Sequence, residues 1–363
     1  MNRETMPIVH YILLAMTAIG LKTHVTILPP LLQNVGRDAW ISVVIATILI
    51  IPWGLILIYI HQESYPNAFH QWLRETRSNF IFHAFRIVFL IILLLLAAFT
   101  MRETIQWVNS TFLPGTPIFI LIIIYITLCI YLASTNLETI IIANAIVLFA
   151  VIILGFFVAF TNMQVKDYTL LRPFFEHGFG PVIKGAIYPA SGVIEILLFL
   201  FIQHKFKAKV RFFHYLIVVG ILMGLTLGPL VGSITEFGPD EAANQLYPAY
   251  EEWRLAKIGR FIEHLDFFSI YQWLTGAFIR VGLFLYIITI LLEWDGKRKR
   301  IWGFLAPSFL LITSLVFLIE EKAFIYLKGM YVLSITFITL FIISLILAVF
   351  AFMTKMASRR KKA

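Results

Sequence analysis

Charge is scarce in this chain. Of its 363 residues, 13% are Asp, Glu, Lys or Arg and 60% are hydrophobic, whereas a soluble domain carries about 25% charged residues. That excludes a water-soluble globular enzyme. Cysteine is scarcer still: Cys129 stands alone, so no internal disulfide and no thiolate metal cluster is possible. The nine histidines form no HExxH pair, and there is no GxSxG, P-loop or dinucleotide fingerprint. Paired catalytic carboxylates and a nucleophile with its base are likewise missing, so no enzyme, no cofactor and no bound metal is expected. The N-terminus is not a cleavable signal, because its apolar run is too long and lacks a small-residue cleavage site.

Long apolar runs are plentiful. A stretch of about 20 apolar residues spans a bilayer, and ten such stretches occur, at roughly 7–32, 40–60, 82–101, 117–133, 139–160, 181–203, 212–231, 267–292, 301–319 and 332–353. The fold class expected is therefore all-α integral membrane, with about ten transmembrane helices in a single polytopic domain over 1–363. An even count puts both termini on one side. The N-terminus and the loops after even-numbered spans carry the larger share of the 29 Lys and Arg residues, which makes that side cytoplasmic. "KFKAKVR" (205–211), "DGKRKR" (295–300) and "RRKK" (359–362) then anchor to anionic lipid at the cytoplasmic face and account for the net +9. No nucleic acid partner is expected, since no aromatic-basic face accompanies these runs.

Two polar connections are long enough to have structure. The segment 61–80 sets Phe69, Trp72 and Leu73 among Arg74 and Arg77, as a short helix lying in the cytoplasmic interface would, or as a solvated linker with aromatic anchors. The segment 236–266 places Trp253, Ile258, Phe261, Ile262 and Leu265 at helical spacing among charges, which predicts an amphipathic outer helix capping the bundle.

Two spans carry interruptions. Span 1 reads "AIGLKTHVTILPPLL" (18–32), with Gly20 at the membrane midplane followed by Lys22, Thr23 and two prolines. Span 6 reads "GAIYPASGVIEILLF" (185–199), where Pro189 removes a backbone donor, Ser191-Gly192 loosens the next turn and Glu195 follows. Backbone freed in hydrocarbon is tolerated only where protein or a water-filled cavity satisfies it, and helices broken at the midplane build substrate sites in many transporters. Breaks in spans 1 and 6 are the pattern of a five-plus-five inverted repeat, although the halves show no convincing sequence similarity. The competing role for Gly20 is a close packing contact.

These residues resemble the B subunit of spore germinant receptors, the endospore germination permeases of the amino acid/polyamine/organocation transporter superfamily. The resemblance is carried by "IGLKTHVTILPPLLQNVGRDAW" (19–40), "LRPFFEHGFGPVIKGAIYPASGVIE" (171–195) and, most strongly, "YPAYEEWRLAKIGRFIEHLDFFSIYQWLTGAFIRVGLFLY" (247–286). It implies a ten-span LeuT-like fold with helices 1 and 6 broken. It also implies a small nutrient ligand such as an amino acid, assembly with receptor A and C subunits, and residence in the inner spore membrane. The alternative is an amino acid permease, a secondary transporter of the same superfamily. The chain departs from the family pattern at Lys22-Thr23, where smaller uncharged residues are expected; an ammonium there opposes a cationic ligand and suits a coupling-cation position.

In such a site, unpaired donors at a helix break face the gap and suit a carboxylate. Gly20 and Gly192 would let a ligand approach the backbone. Thr23, Ser191 and Tyr188 would offer hydroxyls, while Leu21 and Ala190 would size the pocket; each hydroxyl has the alternative of bonding its own helix carbonyl. An unpaired embedded charge costs roughly 2.5–3.5 kcal/mol on insertion scales, so Lys22 and Glu195 are expected to pair. Arg280, in "GAFIRVGLF", needs an anionic or carbonyl partner inside the bundle, in a structural or ion-path role.

Overall fold

The structure is a computed structural model that describes residues 6–259 and 262–360. Its helices are α1 (Ile8–Leu21), α2 (Leu28–Val35), α3 (Ala39–Ser64), α4 (Phe69–Thr76), α5 (Asn79–Thr111) and α6 (Ile118–Ala133). They continue with α7 (Leu137–Thr161), α8 (Phe179–Gly185), α9 (Ile187–Val193), α10 (Phe212–Phe237), α11 (Pro239–Asn244) and α12 (Pro248–Leu255). The last five are α13 (Phe267–Leu291), α14 (Arg298–Arg300), α15 (Ala306–Phe317), α16 (Glu321–Leu327) and α17 (Leu333–Arg360). The chain begins several of them with the residues that suit helix starts. Proline sits in the first turn of α2, α11, α12 and α15, where its missing N–H is no loss. The Asn136 side chain caps α7 by accepting from Thr139 N at 2.8 Å.

Eight helical runs among the described residues are long and apolar enough to cross a membrane: Ile8–Ser64, Asn79–Thr111, Leu137–Gln164, Phe179–Lys205, Phe212–Phe237, Phe267–Leu291, Arg298–Phe317 and Glu321–Arg360. The first two expected spans share the 57-residue run Ile8–Ser64, in which Gly36 at φ +66° separates α2 from α3. The expected fourth falls on α6, of 16 residues. Contacts between the connections sort into two ends. Met6, Tyr65, the 205–207 segment, the Arg74–Glu293 pair and the Lys355–Glu63 pair mark one, called here the terminal end. At the opposite end Arg37 meets Glu176, Lys166 meets Glu236 and Gln106 meets Glu321. Connections one helix apart thus alternate between ends, as antiparallel crossing requires.

Both interruptions depart from α geometry without uncoiling. At span 1 the expected break at Gly20 is displaced: α1 runs through Gly20, and the five residues Lys22–Thr26 form a π turn closed by Ile27 N donating to Lys22 O at 3.2 Å. The cause is downstream. Pro29 and Pro30 have no N–H, and their rings crowd the carbonyls four residues back, at Val25 and Thr26, so the turn before them widens. At span 6, α9 restarts at Ile187 with Pro189 inside its first turn, and the chain then winds tightly as a 3-10 helix from Ile194 to Lys205.

The polar connections differ from expectation in a consistent way. In α4 Phe69, Trp72 and Leu73 are buried, with the Phe69 ring 5.3 Å from Phe201, so the apolar face of the helix is spent on protein rather than on lipid. The outer segment is no continuous helix: α12 ends at Leu255, Gly259 takes φ +63°, and Ile258 and Ile262 pair as an isolated bridge with both side chains about half exposed. Phe261 lies outside the described residues. Trp253 and Leu265 do dock, against Leu154, Phe157, Val158 and Phe268.

Candidate functional site

Glu195, fully buried at the start of the 3-10 stretch, joins three helical segments. Lys22 Nζ, from the first position of the π turn, lies 2.8 Å from Glu195 Oε1 and donates also to Ser191 O at 2.8 Å. Arg280 of α13 forks onto the same carboxylate, Nη1 to Oε2 at 2.7 Å and Nη2 to Oε1 at 3.2 Å. Two further donors go to Ala18 O and to Thr100 Oγ1, and its guanidinium stacks on Phe284 with 4.6 Å to the ring centre. The expected Lys22–Glu195 pair is present, and Arg280 finds both an anionic and a carbonyl partner. The cluster holds two cations and one carboxylate in a buried environment, which makes it electropositive.

A second buried pair stands one step toward the opposite end. Glu103 of α5 receives Lys328 on Oε1 and Thr26 Oγ1 on Oε2, the latter at 2.7 Å. Lys328 opens another π turn, Lys328–Val332, so each of the two lysines that begins a π turn is matched to a buried glutamate. Thr26 of the first turn bonds Glu103 and Arg280 bonds Thr100, so the two pairs both reach α5, one from the π turn and one through α13. Such turns expose backbone groups and recur at functional sites. Beside Lys328, Gly329 lines a groove of 470 Å³ with Pro30, Asn34, Lys322, Tyr326 and Met330 that opens at the opposite end.

The other candidate residues are close-packed. A Cβ on Gly192 would lie 2.4 Å from Thr23 Cγ2, so α9 and the π turn touch there backbone to side chain. Gly20 faces α10, where an added Cβ would meet Leu225 Cδ1 at 3.2 Å, and Leu21 lies against Gly276 of α13. Tyr188 and Ala190 are buried at 7% exposure each. The two hydroxyls take the local option: Thr23 Oγ1 donates to Gly20 O at 3.0 Å and Ser191 Oγ to Tyr188 O at 2.7 Å. Gly20 O also receives His24 Nδ1.

A family described as "Spore germination protein", the spore permeases, matches residues 4–320. The chain belongs to that family. As a spore permease it is 38% identical over 340 residues to spore germination protein XB of Bacillus anthracis, covering 94% of this chain and 96% of that protein. It is 26% identical over 273 residues to the putative spore germination protein YfkT of Bacillus subtilis (75% and 74% covered). Spore germination protein KB of the same species matches at 22% over 277 residues (73% and 72%). The matched region takes in Lys22, Glu103, Glu195 and Arg280, and stops short of Lys328. The family is one of germination permeases rather than of enzymes, and this member is a multi-pass membrane protein.

Proposed function

We propose that this permease is the B subunit of a nutrient germinant receptor, working with A and C subunits in the inner spore membrane with both termini in the cytoplasm. The chain crosses the membrane ten times as one LeuT-like unit, the terminal end facing inward toward anionic lipid. It binds a small nutrient, an amino acid or another carboxylate, between the π turn of span 1, α9 and α13. The observation that carries this is the unequal charge at Glu195: two buried cations share one carboxylate, and an arriving carboxylate brings the group to neutrality. Lys22 already fills the position a coupling cation would take, which favours a receptor over a cation-driven permease. The arrangement described is the occluded one, because Thr23 and Gly192 leave no room between them; binding has to part them.

The test is to delete the gene and expose purified dormant spores to a panel of nutrients. Loss of germination toward particular carboxylate nutrients, restored by the wild-type gene, supports the reading. Normal germination together with lost uptake of a labelled amino acid supports the permease alternative instead.

A further inference from the structure

A second set of three ionisable groups lies at the opposite end, where α12 folds down on α10. Glu252 is 5% exposed, and its carboxyl lies flat on the α10 backbone: a Cβ on Gly232 would be 2.8 Å from all three carboxyl atoms. One turn on, Glu236 Oε2 accepts from Asn162 Nδ2 at 2.9 Å, and the same amide donates to Glu252 O at 2.7 Å. Lys166 approaches Glu236 Oε1 at 3.4 Å. It is the one cation paired within the group, and it is paired with Glu236; Glu252 has no ion pair among the described residues.

What Glu252 touches decides its protonation. Ser233 Oγ lies 2.6 Å from Pro229 O and 3.1 Å from Glu252 Oε1. A hydroxyl has a single hydrogen, so this one contact, shared with Pro229 O, is all that Ser233 Oγ offers a carboxyl that is buried without a cation of its own and stands beside a second carboxylate. We infer that Glu252 is a latch: as a neutral acid packed on Gly232 it holds α12 on α10, and on ionising it lets the outer segment go.

Burial first, and the Glu236 carboxylate second, push the Glu252 carboxyl well above the usual carboxylate range, while Lys166 and the Ser233 contacts act the other way. The elements packed here also carry Asp167 beside Lys166, Lys22 and His24 on the π turn, Asp266, Tyr271, Arg280 and Tyr286 in and before α13, His214 and Tyr215 at the far end of α10, and Asp240 and Glu241 on α11; α12 itself adds Tyr250, Glu251 and Arg254. Tyr250 is spent on Asp266 at 3.1 Å and Glu251 on Arg254 at 2.8 Å. Because the docked carboxyl binds its proton more tightly than the released one, docking is strongest below the ordinary glutamate value of about 4.3. It weakens as pH rises toward the raised value. The latch bears on span 1 directly, since α10 also carries the Leu225 that meets Gly20.

Hydrogen exchange of the full chain in lipid nanodiscs, read from pH 5 to 8 and corrected for intrinsic rates, tests this. Protection of the 250–256 amides should fall by about tenfold or more in the wild type, one unit of difference between docked and released carboxyl being worth a factor of ten. Glu252→Gln, neutral throughout, should hold protection within about twofold over the same range, and Glu236→Gln should narrow the wild-type fall. Protection in α13 serves as the folding control. A flat wild-type profile overturns the latch, as does a Glu252→Gln protein that either falls like wild type or is released at every pH with α13 intact. Should Glu252→Gln not accumulate, Glu236→Gln decides alone: a fall as wide as the wild type's overturns it.

Discussion

Around Glu195 two cations share one carboxylate, whereas around Asn162 two carboxyl groups stand with one cation, which pairs with only one of them. Both groups are buried, yet the two surpluses have different remedies. A surplus carboxylate near the water is answered by a proton, which is always on hand. At Glu195 the two cations are met by the dipoles of Ala18 O and Ser191 O and, in the proposed reading, by the carboxylate of a nutrient. In the two proposals, the Glu252 group answers to acidity and the Glu195 group to an anion.

The same substitution should act in opposite ways at the two places. Glu195→Gln strands two buried cations and should cost on the order of 3–5 kcal/mol, the range for breaking a buried pair, read as loss of the subunit from spore-membrane immunoblots. Adding Lys22→Met should recover part of it, the double variant being less damaged than the sum. Glu252→Gln, by contrast, should accumulate normally; equal loss in both would erase the distinction.

A smaller effect separates helix contact from charge. Gly192→Ala forces a methyl against Thr23 and should cost about 1–3 kcal/mol by overpacking, measured as a lowered melting temperature of the purified protein. Thr23→Ser removes the opposing methyl and should restore it. Failure of that rescue would mean that the charge cluster, not the Thr23 contact, sets the spacing of the two segments.

Smallest should be Gly20→Ala, because the atom it meets is the end of a flexible leucine 3.2 Å away. Abundance should fall by well under half, a cost below about 1 kcal/mol. Gly20→Leu should reduce abundance strongly and Leu225→Ala should bring it back, with the surviving protein responding at the usual nutrient concentration. A normal level of Gly20→Leu protein with a shifted dose response would instead support Gly20 as part of the ligand site.

The membrane runs were legible because water-soluble folds have little use for apolar stretches of bilayer length, and Lys22, Glu195 and Arg280 stood out because charge inside such runs demands a partner. Glu103 and Lys328 escaped for a related reason. Each falls just beyond a run as drawn, 82–101 and 332–353, and so reads as part of a polar loop until α5 and the second π turn are seen to extend past it. The neighbour of Gly20 could not be read at all, since only the packing of α10 puts Leu225 there. In the outer segment helical spacing misled: residues 253–265 have the right period, but a left-handed glycine at 259 turns the chain back on itself.

One modest contact at the terminal end fixes spans 1 and 6 to each other. Met6 N donates to Lys205 O and Lys207 N donates to Met6 O, 2.8 and 2.9 Å long, so the chain entering α1 is stitched to the chain leaving the 3-10 stretch. The two segments are also packed at their other ends, where Gly185 lies against Val35 and Leu31, so the contacts of Lys22 with Glu195 and of Thr23 with Gly192 sit between two fastenings. Separating these two segments at mid-length therefore has to bend one of them rather than swing it as a rigid rod.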